Sequence, residues 1–238
     1  EILGSKEMEN LIKELKINKD IAIKIIKIGL PTAIQNMVIS FSNVLVQSSV
    51  NAYGATAMAG YAAYLKIDGF NILPVLSISM AITTFTGQNV GANKLDRVKK
   101  GMYTALIMGI IYTIFIGAVL LLASHTVLGF FTPDENVIKY GQIAMKYFCP
   151  FYFLLGILNI LAGTVRGAGK GVPPMLILLF SMCVFRILWI KIALPFYDSI
   201  DGVFILYPIS WVVGAVLMAF YTKFGKWLPH QQLAKQNK

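Results

Sequence analysis

Apolar stretches too long for a soluble core recur along this chain. They fall near residues 28–50, 55–89, 101–123, 139–166, 172–196 and 203–222, and a bilayer core of about 30 Å takes about 20 apolar residues of helix to cross. Lipid offers no hydrogen bonds, so each segment must satisfy its own backbone, which leaves helices or a closed barrel. Runs of this length select helices. The fold class is therefore all-α: a polytopic membrane protein with a six-transmembrane-helix region over 28–222, flanked by 1–27 and 223–238. Composition agrees, with only 13% of the 238 residues charged and 57% hydrophobic, where a soluble domain carries about 25% charged residues. The second segment is too long for one straight span, and Pro74 inside it predicts a kink. Pro31, Pro150 and Pro195 fall near the ends of other segments.

Charge then orients the helices. The net charge of +10 is dispersed between apolar runs rather than gathered on one soluble face, which excludes a nucleic-acid partner and favours anionic lipid headgroups. Most of the 21 lysines and arginines fall in the leading segment, in the loops after the second and fourth spans, and in the tail. The opposite loops carry Asp134, Glu135, Asp198 and Asp201 and no Lys or Arg. The positive-inside rule puts both termini in the cytoplasm. Residues 6–27 space Leu11, Leu15, Ile21 and Ile25 helically among lysines, as in an interfacial amphipathic helix or a solvated linker.

Two glycine-rich stretches, GQNVGANKLDRVKKG at 87–101 and RGAGKGVPPM at 166–175, invite a nucleotide-binding reading. Spacing rejects it. A phosphate loop needs Gly, four residues, then Gly-Lys-Ser/Thr after a strand, whereas Gly163 is six positions before Gly169 and Gly171 occupies the Ser/Thr position. Both stretches read as cytoplasmic turns. Gly91 is expected in the left-handed conformation ending span two, with Asn93 and Asp96 capping span three. Pro173 or Pro174 starts span five. Cys149 and Cys183 lie in apolar segments and read as small buried hydrophobes. His125 and His230 fall on opposite sides of the membrane, and no catalytic constellation or metal-ligand cluster is visible, so an enzyme is not expected.

Polar residues inside the spans are the functional candidates. Asn36, Ser40, Asn43 and Gln47 lie within about 60° of one another on a helix, with Gln35 off centre. They form either a wall of a wet cleft or interhelical glue. Asp68 is an acid at depth, which binds a coupling cation or cationic substrate, or else forms a structural ion pair with Arg186 or Lys146. Lys66 lies roughly 200° around the helix from it. Asn71 and Asn159 are further cavity candidates. Tyr61, Tyr64, Tyr147 and Tyr152, with Met37 and Met58, offer an adaptable surface for varied ligands or plain packing.

TTFTGQNVGANKLDRVKKG, LAGTVRGAGKGVPPM, KIGLPTAIQNMVISFSNVLVQSSVNAYG and MAGYAAYLKID resemble the multidrug and toxic compound extrusion (MATE) family of the MOP superfamily, specifically its C-terminal six-helix lobe. The resemblance implies half of a cation-coupled antiporter of the plasma (inner) membrane. It would export organic cations and amphipathic drugs by rocking two lobes about a central cleft. It makes residues 1–27 an inter-lobe linker and 223–238 a basic cytoplasmic tail. Its partner would be the N-terminal lobe of a longer chain, or a second copy. No cofactor is implied beyond a coupling ion, H⁺ or Na⁺. In the NorM-like branch, acids on the helices matching spans one and four contribute to the cation site. Here span one has none and span four offers Asn159, which resembles the DinF-like branch and puts the coupling acid in the other lobe. A lipid-linked precursor or polysaccharide flippase of the same superfamily, and a non-transporting half-transporter scaffold, are the alternatives.

Overall fold

The computed structural model describes residues 19–228, so most of the expected linker and tail, with His230, lies outside the described residues. Six apolar helical spans run Lys19–Asn51, Ala55–Gly91, Leu95–Leu122, Glu135–Gly167, Val172–Phe196 and Asp201–Phe224, and no strand occurs among the described residues. The all-α membrane fold is as expected. The span ends are not. The first helix is continuous from Lys19, and the third begins at Leu95 and takes in Arg97, Lys99 and Lys100. Lys, Arg and Leu are strong helix formers, so a helix runs past the lipid boundary until turn chemistry stops it.

That chemistry is shared by two loops. After Gly91, Lys94 N–H donates to Asn89 C=O at 2.8 Å and Asn93 N–H to Val90 C=O at 3.0 Å. After Gly167, Lys170 N–H donates to Val165 C=O at 3.2 Å and Gly169 N–H to Arg166 C=O at 2.9 Å. Both are Schellman closures, written in the sequence as GANK and GAGK. The left-handed residue of the first is Asn93 (φ 55°), with Gly169 (φ 82°) its counterpart. Gly91 is therefore the last helical residue rather than the left-handed one, and Asn93 ends span two instead of capping span three, whose N-cap position is Lys94. Span five begins at Val172, with Pro173 and Pro174 in its first turn.

The fourth span is the centre of the lobe, flanked by the second, third and sixth. Sixty-one per cent of its apolar window is buried, against 6% for the first span, which rests mainly on the fifth. Spans two and four approach through small residues. A Cβ at Gly163 would meet Ser79 and Thr83, and the close approach lets Ser79 Oγ donate to Asn159 C=O at 2.7 Å and Thr83 Oγ1 to Gly163 C=O at 3.0 Å. This is small-residue packing with hydrogen-bond glue, as helices in lipid require. Further along, Phe148 gathers an aromatic core, with ring centroids 4.8 Å from Tyr64, 5.5 Å from Phe204 and 4.8 Å from Tyr207. Cys149 and Cys183 are free and buried, as expected.

The sixth span breaks near its start, at Ile205 between Asp201–Phe204 and Leu206–Phe224, and the fourth and fifth are interrupted in their interiors. Pro150 sits in a 3₁₀ turn, Cys149–Phe151, that divides the fourth span in its middle rather than near an end. The fifth carries a π turn, Phe180–Val184, between Val172–Leu179 and Phe185–Ile192. The first span docks on it, with Ser42 Oγ donating to Met182 C=O at 2.7 Å. Pro74, in contrast, is accommodated within one helix running from Ala55 to Gly91. At 1.5 Å per residue that helix is about 55 Å long, so it tilts or emerges from the membrane.

Candidate functional site

The polar stripe of the first span faces out of the lobe. Asn36, Ser40 and Asn43 are exposed and Gln47 is half-buried, on the same open side as Met37, Phe41 and Val44. Gln47 Nε2 donates along its own helix to Asn51 Oδ1 at 3.0 Å. Gln35 alone turns inward, 5% exposed, and its Oε1 has no hydrogen-bond partner. Asn43 nevertheless ties the stripe to the fifth span, its Oδ1 accepting from Arg186 Nη1 at 3.0 Å.

Two cavities flank the stripe. The one nearer Asn51 holds about 340 Å³ and is lined by Asn43, Gln47, Asp68, Tyr61, Tyr64, Phe148, Tyr207 and Trp211. Asp68 is half-buried there, beside Tyr152, Tyr64 and Asn71, and its Oδ1 has no hydrogen-bond partner. His125 pairs with Glu135 at the far surface, and Asp68 forms no ion pair among the described residues. The expected structural pair of Asp68 with Arg186 or Lys146 is therefore not formed: Lys146 is exposed, and Arg186 is engaged elsewhere. Its Nη1 donates to Asn43 Oδ1 at 3.0 Å and its Nε to Ser210 Oγ at 3.2 Å. Its guanidinium lies 4.3 Å from the Tyr207 ring centroid. The wall is completed by two phenol pairs, Tyr61 with Tyr207 at 2.6 Å and Tyr64 with Tyr152 at 2.9 Å.

The second cavity, about 470 Å³, lies toward the Schellman loops and brings Gln35 and Asn36 together with Ser79, Thr83, Asn159 and Arg166. Asn159 is partly spent, since its Nδ2 donates to Leu155 C=O at 2.9 Å. Two candidates fall outside both cavities. Lys66 is exposed, its Nζ 5.8 Å from the Phe131 ring centroid. Asn71 is buried behind Asp68 with an unpartnered Oδ1, while its backbone C=O accepts from Tyr112 Oη at 3.1 Å. Sequence reasoning missed Tyr207 and Trp211. They stand four residues apart on one face of span six, a spacing that reads as ordinary apolar packing until Asp68 is placed opposite. Of the expected aromatic surface, Tyr61, Tyr64 and Tyr152 are buried, and Met37 and Met58 are exposed.

A bundle of apolar spans with one polar-striped helix left uncovered, beside cavities that hold unpartnered polar atoms, is a membrane transporter lobe. Residues 31–190 match the MatE family model; the chain belongs to that family, which is one of transporters and not of enzymes. It is 27% identical over 216 residues to the probable multidrug resistance protein YoeA of Bacillus subtilis (strain 168), covering 88% of this chain and 46% of that protein. It is 25% identical over 214 residues to the probable multidrug resistance protein NorM of Thermotoga maritima, covering 90% and 46%. Among solved structures it resembles the Vibrio cholerae MATE transporter VcmN in the bent form, with TM-score 0.80, 15% identity, and coverage of 91% of this chain and 49% of that one. An outward-facing multidrug resistance MATE transporter of the MOP superfamily gives TM-score 0.82 at 18% identity, covering 94% and 49%. The chain thus spans about half the length of the curated relatives it matches.

Proposed function

We propose that this chain is the C-terminal half of a cation-coupled multidrug antiporter, and that its first span forms one wall of the substrate cleft. The observation that carries the proposal is Asp68, an acid without an ion-pair partner among the described residues, which lines a cavity walled by Tyr61, Tyr64, Phe148, Tyr207 and Trp211. A carboxylate amid aromatic faces is the chemistry that recognises an organic cation. The outward stripe Asn36–Ser40–Asn43–Gln47 supplies hydrogen-bonding groups to a wetted surface, and the N-terminal six-helix lobe would face it. The two lobes would alternate by rocking. The basic loops support a cytoplasmic location for residues at both ends, with the plasma membrane as the site of action. Among the described residues lining this cavity Asp68 is the one acid, which supports a DinF-like arrangement with the H⁺ or Na⁺ coupling acid in the other half.

The test is flux of a fluorescent organic cation through the full-length transporter in proteoliposomes under an imposed H⁺ or Na⁺ gradient. Asp68→Asn should weaken substrate affinity while leaving the protein folded, and Asp68→Glu should restore part of it. Wild-type affinity and rate in Asp68→Asn would remove the cavity from the transport path.

A further inference from the structure

A different amphipathic groove lies between the second and third spans, lined by residues that neither cavity above uses. Ile78, Ile82 and Phe85 form one wall and Ala105 and Met108 the other, enclosing about 510 Å³. On each helix the lining residues recur every three or four positions, so each wall is a single helix face. Gly101 shapes the floor: a Cβ there would overlap the Phe85 ring, and its absence lets the ring lie against span three.

The groove is apolar but for Thr104, whose hydroxyl donates to Lys100 C=O at 3.0 Å, until its loop end. There Arg97 and Lys100, one turn apart, line the mouth. Both are exposed, and neither has an acidic partner among the described residues. From Arg97 to Met108 the wall rises about 16 Å, which is the depth of one leaflet of a core about 30 Å thick. Two cations at headgroup level above a leaflet-deep apolar slot are complementary to one class of molecule. An organic cation would meet the wrong charge at the mouth, and a zwitterionic lipid would bring a third cation to it.

We propose that this groove is a binding site for an anionic glycerophospholipid from the leaflet on that side, with one acyl chain in the slot and the phosphate between Arg97 and Lys100. Lys94 and Lys99 belong to the same basic stretch but do not line the groove, which makes them the internal control. The site is independent of the transport reading, since it depends only on the membrane placement of spans two and three.

Native mass spectrometry of the purified full chain, titrated with phosphatidylglycerol or phosphatidylcholine, tests it. The wild type should prefer phosphatidylglycerol. Arg97→Gln with Lys100→Gln should lower that affinity on the order of thirtyfold, and Lys94→Gln with Lys99→Gln should change it little. Ala81→Trp, at an exposed position on the groove wall, should block the slot and weaken binding with both cations intact. Equal losses in the two double variants, or no preference between the lipids, would reduce the site to diffuse surface charge and overturn the proposal. Unchanged affinity in Ala81→Trp would overturn the acyl-chain slot.

Discussion

Gly163→Ala is the sharpest probe of how the lobe is held together. A Cβ at Gly163 would stand 2.6 Å from Ser79 C=O, 2.7 Å from Ser79 Oγ and 3.0 Å from Thr83 Oγ1. The first of these is backbone and cannot rotate aside, so spans two and four must separate. Overpacking of this kind costs about 1–3 kcal/mol, and the hydrogen bond across the seam from Ser79 to Asn159 is worth about 0.6 kcal/mol in membranes, the Thr83 hydroxyl being shared between Ser79 C=O at 2.7 Å and Gly163 C=O at 3.0 Å. Against that, alanine gains up to about 1 kcal/mol of helix propensity, leaving a net loss of about 1–3 kcal/mol. Gly69→Ala on span two is the matched control, because nothing lies within 4 Å of a Cβ there. It keeps the propensity gain of up to about 1 kcal/mol. Melting of the purified protein in detergent, followed by tryptophan fluorescence, should therefore move in opposite directions. Gly163→Ala should fall by about 2–12 °C and Gly69→Ala should hold or rise by a few degrees. If both variants shift together, or Gly163→Ala melts with the wild type, the seam is not the close contact described.

Three further outcomes are expected. Phe148→Ala empties the centre of the aromatic core, where Phe148 is 1% exposed, and should destabilise by about 3–5 kcal/mol in the same melts. Asn93→Gly should be neutral or mildly stabilising, while Asn93→Val should cost about 1–2 kcal/mol, because φ 55° is left-handed backbone that a β-branched residue resists. Cys149 and Cys183, 2% and 8% exposed, should resist a maleimide in the folded protein and react fully after denaturation, as counted by intact mass.

The helices were legible because lipid imposes a length and a composition on every span. Their ends were not, because apolar content says where the membrane stops and not where the helix does. Lys19 to Lys27 and Leu95 to Lys100 continue helices whose apolar parts begin later. The stripe on span one could be read from spacing alone, but its direction required the fifth span to be placed behind it. Asp68 drew attention as an acid at depth. Its surroundings depend on side chains from three other spans, among them Asn43, Tyr152 and Tyr207, which no local pattern brings together. Glycine's conformational freedom points to Gly91 as the left-handed residue, whereas the hydrogen-bond register puts it at Asn93. GAGK, with Gly169 in that position, carried the hint.

The π turn at Phe180–Val184 bears on how the fifth span tolerates change. Position along a helix is also an angle, and one residue added or lost turns everything beyond it by about 100°. The wider turn therefore acts as a phase setter, and Arg186, just after it, is the residue whose bearing it sets. Substitutions within the turn alter packing. A single deletion there would swing the guanidinium away from Asn43, Ser210 and Tyr207 toward lipid. For this stretch, residue number is under tighter constraint than residue identity, so homologous spans should vary in sequence here long before they vary in length.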